Sequence, residues 1–143
     1  MTNQKTPRRP AIMLTEKEAD SLANLALGVE KTSPQICELL LDEIGRAKLV
    51  PESRMPDDVI RIGSTAEFVD EATGAVRSMQ LVYPRHARIE ENRISILSLV
   101  GCGLIGLRVG QSIMWPDRSG QKRRLSIRKV KQQSVETDVP SVN

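Results

Sequence analysis

Three groups of residues in this sequence have types and spacings that could do chemistry. The first is a literal G-x-G-x-x-G across Gly101, Gly103 and Gly106, inside the apolar stretch 94–110 (ISILSLVGCGLIGLRVG). Such glycines cradle a pyrophosphate when a strand precedes them, a full helix opens at them and an acid follows about 20 residues on. Here Leu107-Arg108-Val109-Gly110 leaves no room for that helix, and Pro116-Asp117-Arg118-Ser119-Gly120 reads as a turn with no parallel strand after it. The glycines therefore predict tight turns and close backbone packing. The stretch reads as a short strand at 94–96, a buried helical turn over 98–105, a stop at Gly106 and a turn into a new strand at Val109-Gly110.

The second group holds the nucleophiles and acids. His86 is the only histidine and lies in a polar loop between Arg85 and Arg88, without an evident nucleophile beside it. Cys37 and Cys102 are far apart and fall on or beside apolar stripes, so both are expected as small buried residues with reduced thiols. The acid pairs Asp42-Glu43, Asp57-Asp58 and Glu90-Glu91 are adjacent in sequence. Adjacent residues on a helix or strand point different ways, so these make poor paired carboxylates and read as solvated faces; Asp42-Glu43 could also meet a basic patch on a partner. No catalytic residue, metal site, cofactor or small-molecule substrate is assigned.

The third group is the basic cluster Lys122, Arg123, Arg124, Arg128, Lys129 and Lys131. On an unbroken strand Lys122, Arg124, Ser126 and Arg128 share a face. Such a face either guards a sheet edge or meets phosphate or acidic protein surface.

The elements that must position these groups are legible from caps and periodicity. Thr15-Glu16-Lys17-Glu18 is a capping box, and Ala19, Leu22, Ala23, Leu25, Ala26 and Val29 follow at helical spacing until Gly28. Ser33-Pro34 opens a second helix with the stripe Ile36, Leu39, Leu40, Ile44 and Ala47, and Arg46 and Lys48 in its last turn. So short a link makes the two helices antiparallel neighbours, a hairpin about 20–25 Å long. After the linker 51–56, strands are expected at 59–69 and 76–83 around a turn at 70–74, with a polar loop at 85–93. A second hairpin is expected from 112–115 and 122–130. The fold class is α+β: a helical hairpin, then an antiparallel sheet of four or five strands with one short helix on it.

Composition narrows the function. Aromatics are 2% of 143 residues, so stacking on nucleic-acid bases is not the main activity. No run approaches the roughly 20 apolar residues of a membrane span, and 1–13 lacks an apolar signal core, which places the expectation in the cytoplasm with no membrane partner. The net charge of +3 is uneven: 14–58 carries five basic groups against ten acidic, and 111–143 seven against three. A dipolar chain of this kind suits a protein partner of mixed charge better than a duplex-DNA binder.

Several segments, taken in order, resemble the C-terminal section of Gre-type transcription elongation factors. They are Val59-Ile60-Arg61-Ile62-Gly63-Ser64-Thr65, Leu81-Val82-Tyr83-Pro84, Ile94-Ser95-Ile96 and the run from Gly101 to Gly110. The resemblance covers roughly 15–130. It implies an FKBP-like sheet domain over 56–131 beside the helical hairpin over 14–50; the polar ends, 1–13 with Pro7 and Pro10 and 132–143, read from their composition as disordered tails. It also implies docking on RNA polymerase near its secondary channel. Gre factors carry a long hairpin with an acidic pair at its tip that helps hold a catalytic metal. Here the tip offers only Glu30, next to Lys31, so no stimulation of transcript cleavage is expected. The family's Asp-Ser-Pro at the polymerase-contacting corner matches Leu97-Ser98-Leu99, where only Ser98 is kept, and its acid after the last glycine is Gln111. The expected function is a polymerase-binding regulator that rivals Gre factors and is not an enzyme. Two alternatives are an FKBP-like peptidyl-prolyl isomerase, which Phe68, Tyr83 and Trp115 alone supply poorly with aromatics, and a basic nucleic-acid module using Lys122, Arg124 and Arg128.

Overall fold

The computed structural model describes residues 10–133 and has an α+β architecture. Helix α1 (Glu16–Gly28) begins at its capping box. The Thr15 hydroxyl accepts from the Glu18 amide at 3.1 Å, and the Glu18 carboxylate accepts from the Thr15 amide at 2.8 Å. Its buried residues Ala19, Leu22 and Ala26 keep helical spacing. Helix α2 (Pro34–Gly45) starts with proline at the first turn, where the missing N–H costs nothing. It ends at Gly45, earlier than its stripe suggests, and Arg46 sits at its C-cap. The two helices pack on each other, and α2 also packs on α3 (Leu99–Leu104).

The strands are β1 (Met13–Leu14), β2 (Lys48–Leu49), β3 (Thr65–Asp70), β4 (Ala75–Val82), β5 (Arg93–Ser95), β6 (Ser112–Pro116) and β7 (Lys122–Lys131). Five of them form one sheet in the order β5-β4-β3-β7-β6. The sheet is mixed, which corrects the antiparallel expectation: β5 runs parallel to β4, pairing Gln80–Val82 with Arg93–Ser95. The cause lies in 84–92. Pro84 ends β4, two 3-10 turns (Pro84–His86 and Ile89–Glu91) carry the chain back, and Asn92 at φ 60° turns it into β5. That is the crossover a parallel neighbour requires.

Two further corrections come from long-range pairing. The first long strand starts at Thr65, because Val59 bridges Arg108 and Ile60 exchanges backbone hydrogen bonds with Gly106 and Leu107. A turn from Arg61 to Ser64 then precedes β3. The expected N-terminal tail ran through Met13, yet Ile12 is fully buried and Met13–Leu14 pairs in parallel with Lys48–Leu49. At the other end Gln132 is anchored, its side-chain amide donating to the carbonyls of Asp57 and Val59. The remaining tail expectations, for 1–9 and 134–143, lie outside the described residues.

Strand β7 carries a bulge. Glu67 pairs with Lys129 and Phe68 with Ile127, so Arg128 is the extra residue and the pleat breaks there. Arg128 therefore does not continue the alternation of Lys122, Arg124 and Ser126.

One core draws on both sections of the chain, from Ile12, Leu22 and Leu40 to Phe68, Leu81, Ile96 and Ile113. The glycines of the central stretch serve that packing. A Cβ on Gly103 would meet the Trp115 indole at 2.7 Å, and Gly106, at φ +81°, lies against Ile12. No helix of the described residues is long and apolar enough to cross a membrane.

Candidate functional site

The corner between β5 and α3 is built by serines. The Ser95 hydroxyl accepts from the Leu97 amide at 2.9 Å. Ser98 donates its hydroxyl to the Ser95 carbonyl at 2.7 Å and accepts from the Gly101 amide at 3.0 Å. The Ser98 side chain thus caps α3. From β6, Trp115 Nε1 donates to the Leu99 carbonyl at 2.7 Å and ties the sheet to the helix.

This corner opens on a cleft of about 730 Å³. Phe68, Met79, Ile94, Trp115 and Leu125 line it from the sheet, and Ser98, Leu99 and Val100 from α3. Ile89 stands at its mouth, 65% exposed. Arg77 and Arg118 belong to its rim, beside a charge network in which Arg123 donates to Asp70 at 2.9 Å and to Asp117 at 2.8 Å. An apolar floor with a charged rim is the anatomy of a protein docking site.

Asp117 organises the β6–β7 loop. It accepts from the Ser119 amide and hydroxyl, the Gln121 amide and Arg123. The Ser119 hydroxyl first, and then the Arg123 guanidinium, hold its carboxyl down to about 2. A carboxyl lowered by folding contributes stability that is complete above its unfolded value near 4 and lost as pH falls toward 2. Asp117→Asn should therefore unfold at lower urea than the parent at pH 7, with the gap closing between pH 4 and 2. Urea midpoints across that range check it, and a gap unchanged at pH 2 would contradict the assignment.

The anticipated site residues occupy three separate places. Leu97, Ser98 and Leu99 are half-buried at the corner, with Ser98 and Leu99 on the cleft. Glu30 and Lys31 are exposed on the link between α1 and α2. Lys122 and Arg124 are exposed on the outward face of β7, and Arg128 is exposed in its bulge. His86 is exposed in the 3-10 turn after β4. Both cysteines are buried and free, and burial, with the Glu43 carboxylate nearby, pushes the Cys102 thiol up to about 12. Glu43 itself corrects the reading of Asp42-Glu43 as a solvated pair: it is 1% exposed and bonded by Arg46.

The structure adds Ile89, Asp70 and Asp117, and it takes Arg123 out of the basic row into an ion-pair network. The inward residues prove to be Ile113 and Trp115 on β6 and Leu125 and Ile127 on β7. Nothing local marked Ile89, which reaches the cleft through the crossover.

Residues 55–132 match the family model for the C-terminal section of the transcription elongation factors GreA and GreB. The chain belongs to the GreA/GreB family. Every cleft residue lies inside that match, whereas α1 and α2 lie outside it. A relative of nearly the same extent is the regulator of nucleoside diphosphate kinase of Escherichia coli strain K12, 31% identical over 119 residues, covering 83% of this chain and 88% of that protein. Transcription elongation factor GreA of Azorhizobium caulinodans is 38% identical over 74 residues, 52% of this chain and 47% of the factor. Among solved structures, a GreA/GreB transcription elongation factor from Nitrosomonas europaea superposes with a TM-score of 0.66 at 31% identity, covering 86% of this chain and 99% of the other. This GreA/GreB relationship explains why the corner and the glycine run were legible as an ordered series.

Proposed function

We propose that this chain is a transcription regulator that docks on RNA polymerase near the secondary channel. It does so through the cleft beside Leu97-Ser98-Leu99, and it competes there with Gre-type factors. The observation that carries the reading is the apolar cleft inside the section shared with GreA and GreB, at the corner where the family's polymerase contact is expected. Leu99, Val100 and exposed Ile89 give a partner apolar surface to cover, while Arg77 and Arg118 on the rim are free to select its charge. The departure from Asp-Ser-Pro to Leu-Ser-Leu makes that contact more apolar and leaves Ser98 as the cap of α3.

The same reading takes 14–50 as the inward-pointing hairpin, 56–131 as an FKBP-like docking domain, and the cytoplasm as the site of action. Helices of 13 and 12 residues give a hairpin about 20 Å long. Its link carries one carboxylate, Glu30, with the Lys31 ammonium beside it. One carboxylate does not complete a hard-metal site, so the regulator binds without stimulating transcript cleavage.

Purified RNA polymerase should retain this protein, and excess Gre factor should displace it. Ile89→Asp should weaken retention at least tenfold with an unchanged melting curve, because the residue is exposed at the cleft mouth. Stalled transcription complexes should show no added cleavage. Absence of binding at micromolar concentration, or full binding by Ile89→Asp, would overturn the cleft assignment.

A further inference from the structure

Strand β7 presents two chemistries. Its inward residues Leu125 and Ile127 are buried, and Leu125 lines the cleft. On the outward face stand Lys122 and Arg124; the break in the pleat at Arg128 returns Lys129 and Lys131 to that same face, with Arg128 itself exposed between them. Ten residues of strand extend this row over about 30 Å.

These cations stand together in one row without carboxylate partners. Several arginines elsewhere do meet a carboxylate: Arg46 with Glu43, Arg61 with Glu18, Arg108 with Asp58, Arg123 with Asp70. Among the described residues neither these four outward cations nor Arg128 forms an ion pair. Lys129 stands in register with Glu67 without pairing to it, Glu71 is hydrogen-bonded by Ser126, and Arg124 donates to Ser112. Edge protection does not account for Lys122 and Arg124, since β6 covers β7 from Lys122 to Ser126; beyond that only β3 pairs with it. Like charges along one strand repel, so the row costs stability unless an anion covers it.

We propose that the outward face of β7 binds the phosphodiester backbone of a nucleic-acid strand through Lys122, Arg124, Lys129 and Lys131. A linear row of cations fits a linear polyanion. No aromatic joins it, because Phe68 and Trp115 line the cleft on the other face. Binding is therefore electrostatic and blind to base sequence. A partner seated in the cleft leaves the row open, so one strand serves both contacts.

The test is fluorescence anisotropy of the full chain with labelled single-stranded RNA and DNA of about 12 nucleotides, at 50 and 200 mM potassium chloride. Four phosphate contacts on a single strand predict an affinity falling about 50-fold between those salts. RNA and DNA should agree within about threefold, since only the backbone is read. The variant K122Q/R124Q/K129Q/K131Q should lose at least tenfold at 50 mM salt. Should it melt early, the pairs K122Q/R124Q and K129Q/K131Q each read about threefold. The control K17Q/K48Q/R54Q/R85Q removes the same net charge from exposed cations outside the row and the cleft and should bind like the parent. Three results overturn the proposal: no binding at 50 mM salt, equal loss in the control, or equally tight binding of a polyglutamate peptide of matched charge.

Discussion

Gly101→Ala is expected to lower the melting temperature by about 10 °C. A Cβ at this position would stand 2.1 Å from the Ser95 carbonyl oxygen, 2.9 Å from Ser98 Oγ and 3.0 Å from the Ser95 carbonyl carbon. The obstacle is backbone, which a rotamer change cannot move. The same carbonyl accepts from the Ser98 amide at 2.9 Å and the Ser98 hydroxyl at 2.7 Å, so retreat breaks the turn and the cap of α3 together. Overpacking commonly costs about 1–3 kcal/mol. A backbone obstacle places this substitution near about 3 kcal/mol, roughly 10 °C for a chain of this size. Gly28→Ala is the internal contrast: nothing lies within 4 Å of its added Cβ, so the change should be neutral or stabilise by up to about 1 kcal/mol. Thermal melts of both variants check the pair, and equal melting of Gly101→Ala and the parent would refute the close approach. Because Gly101 lies against the Ser95 carbonyl at the corner that carries Leu97 and Leu99, its substitution should also weaken polymerase retention in the proposed function.

That turn was legible because its determinants lie within a few residues of one another. The Thr15 capping box and Ser98 ahead of the glycine run are likewise local, and each element starts where its cap predicts. What the chain hides is set by partners far away in sequence. Val59-Ile60 is β-branched and reads as the head of a strand, yet residues 106–108 claim it and the ladder with β4 begins only at Thr65. The parallel placement of β5 depends on how two 3-10 turns fold back, and no residue pattern in 84–92 announces it. The site divides the same way. Leu97-Ser98-Leu99 was reachable through the family's ordered motifs, whereas the inward face of β7 stayed open, because the bulge puts Val130 rather than Lys129 in line with Leu125 and Ile127. Ile89 and the Asp70–Arg123–Asp117 network become neighbours of the corner only when the sheet closes the cleft. The bulge at Arg128 is a mismatch between two strands about 60 residues apart, so neither strand alone encodes it.

Arg46→Ala is expected to cost about 3 kcal/mol, and the reason was equally invisible in sequence, where Glu43 looked like one of a solvated pair. Glu43 is 1% exposed and takes two hydrogen bonds from the Arg46 guanidinium, at 2.5 and 3.2 Å. The remaining Arg46 nitrogen donates to the Pro10 carbonyl at 2.5 Å, fastening the chain just ahead of β1. Removing one partner of a buried charge pair typically costs 3–5 kcal/mol, because the other charge keeps its desolvation penalty. Arg46 is 26% exposed and water can reach the site, which sets the expectation at the lower end. Replacing both charges distinguishes a true pair from a loss of packing. Glu43→Gln with Arg46→Met keeps most of the volume and removes the buried charge that Arg46 offsets, so the double variant should be more stable than Arg46→Ala alone. Urea unfolding of the single and double variants decides it. If the double variant is no more stable than Arg46→Ala, the buried Glu43 charge is not what Arg46 offsets, and Arg46 acts here through its tether to Pro10. Either way the effect should be read at the junction of α2 and β1, a place that the cleft does not touch.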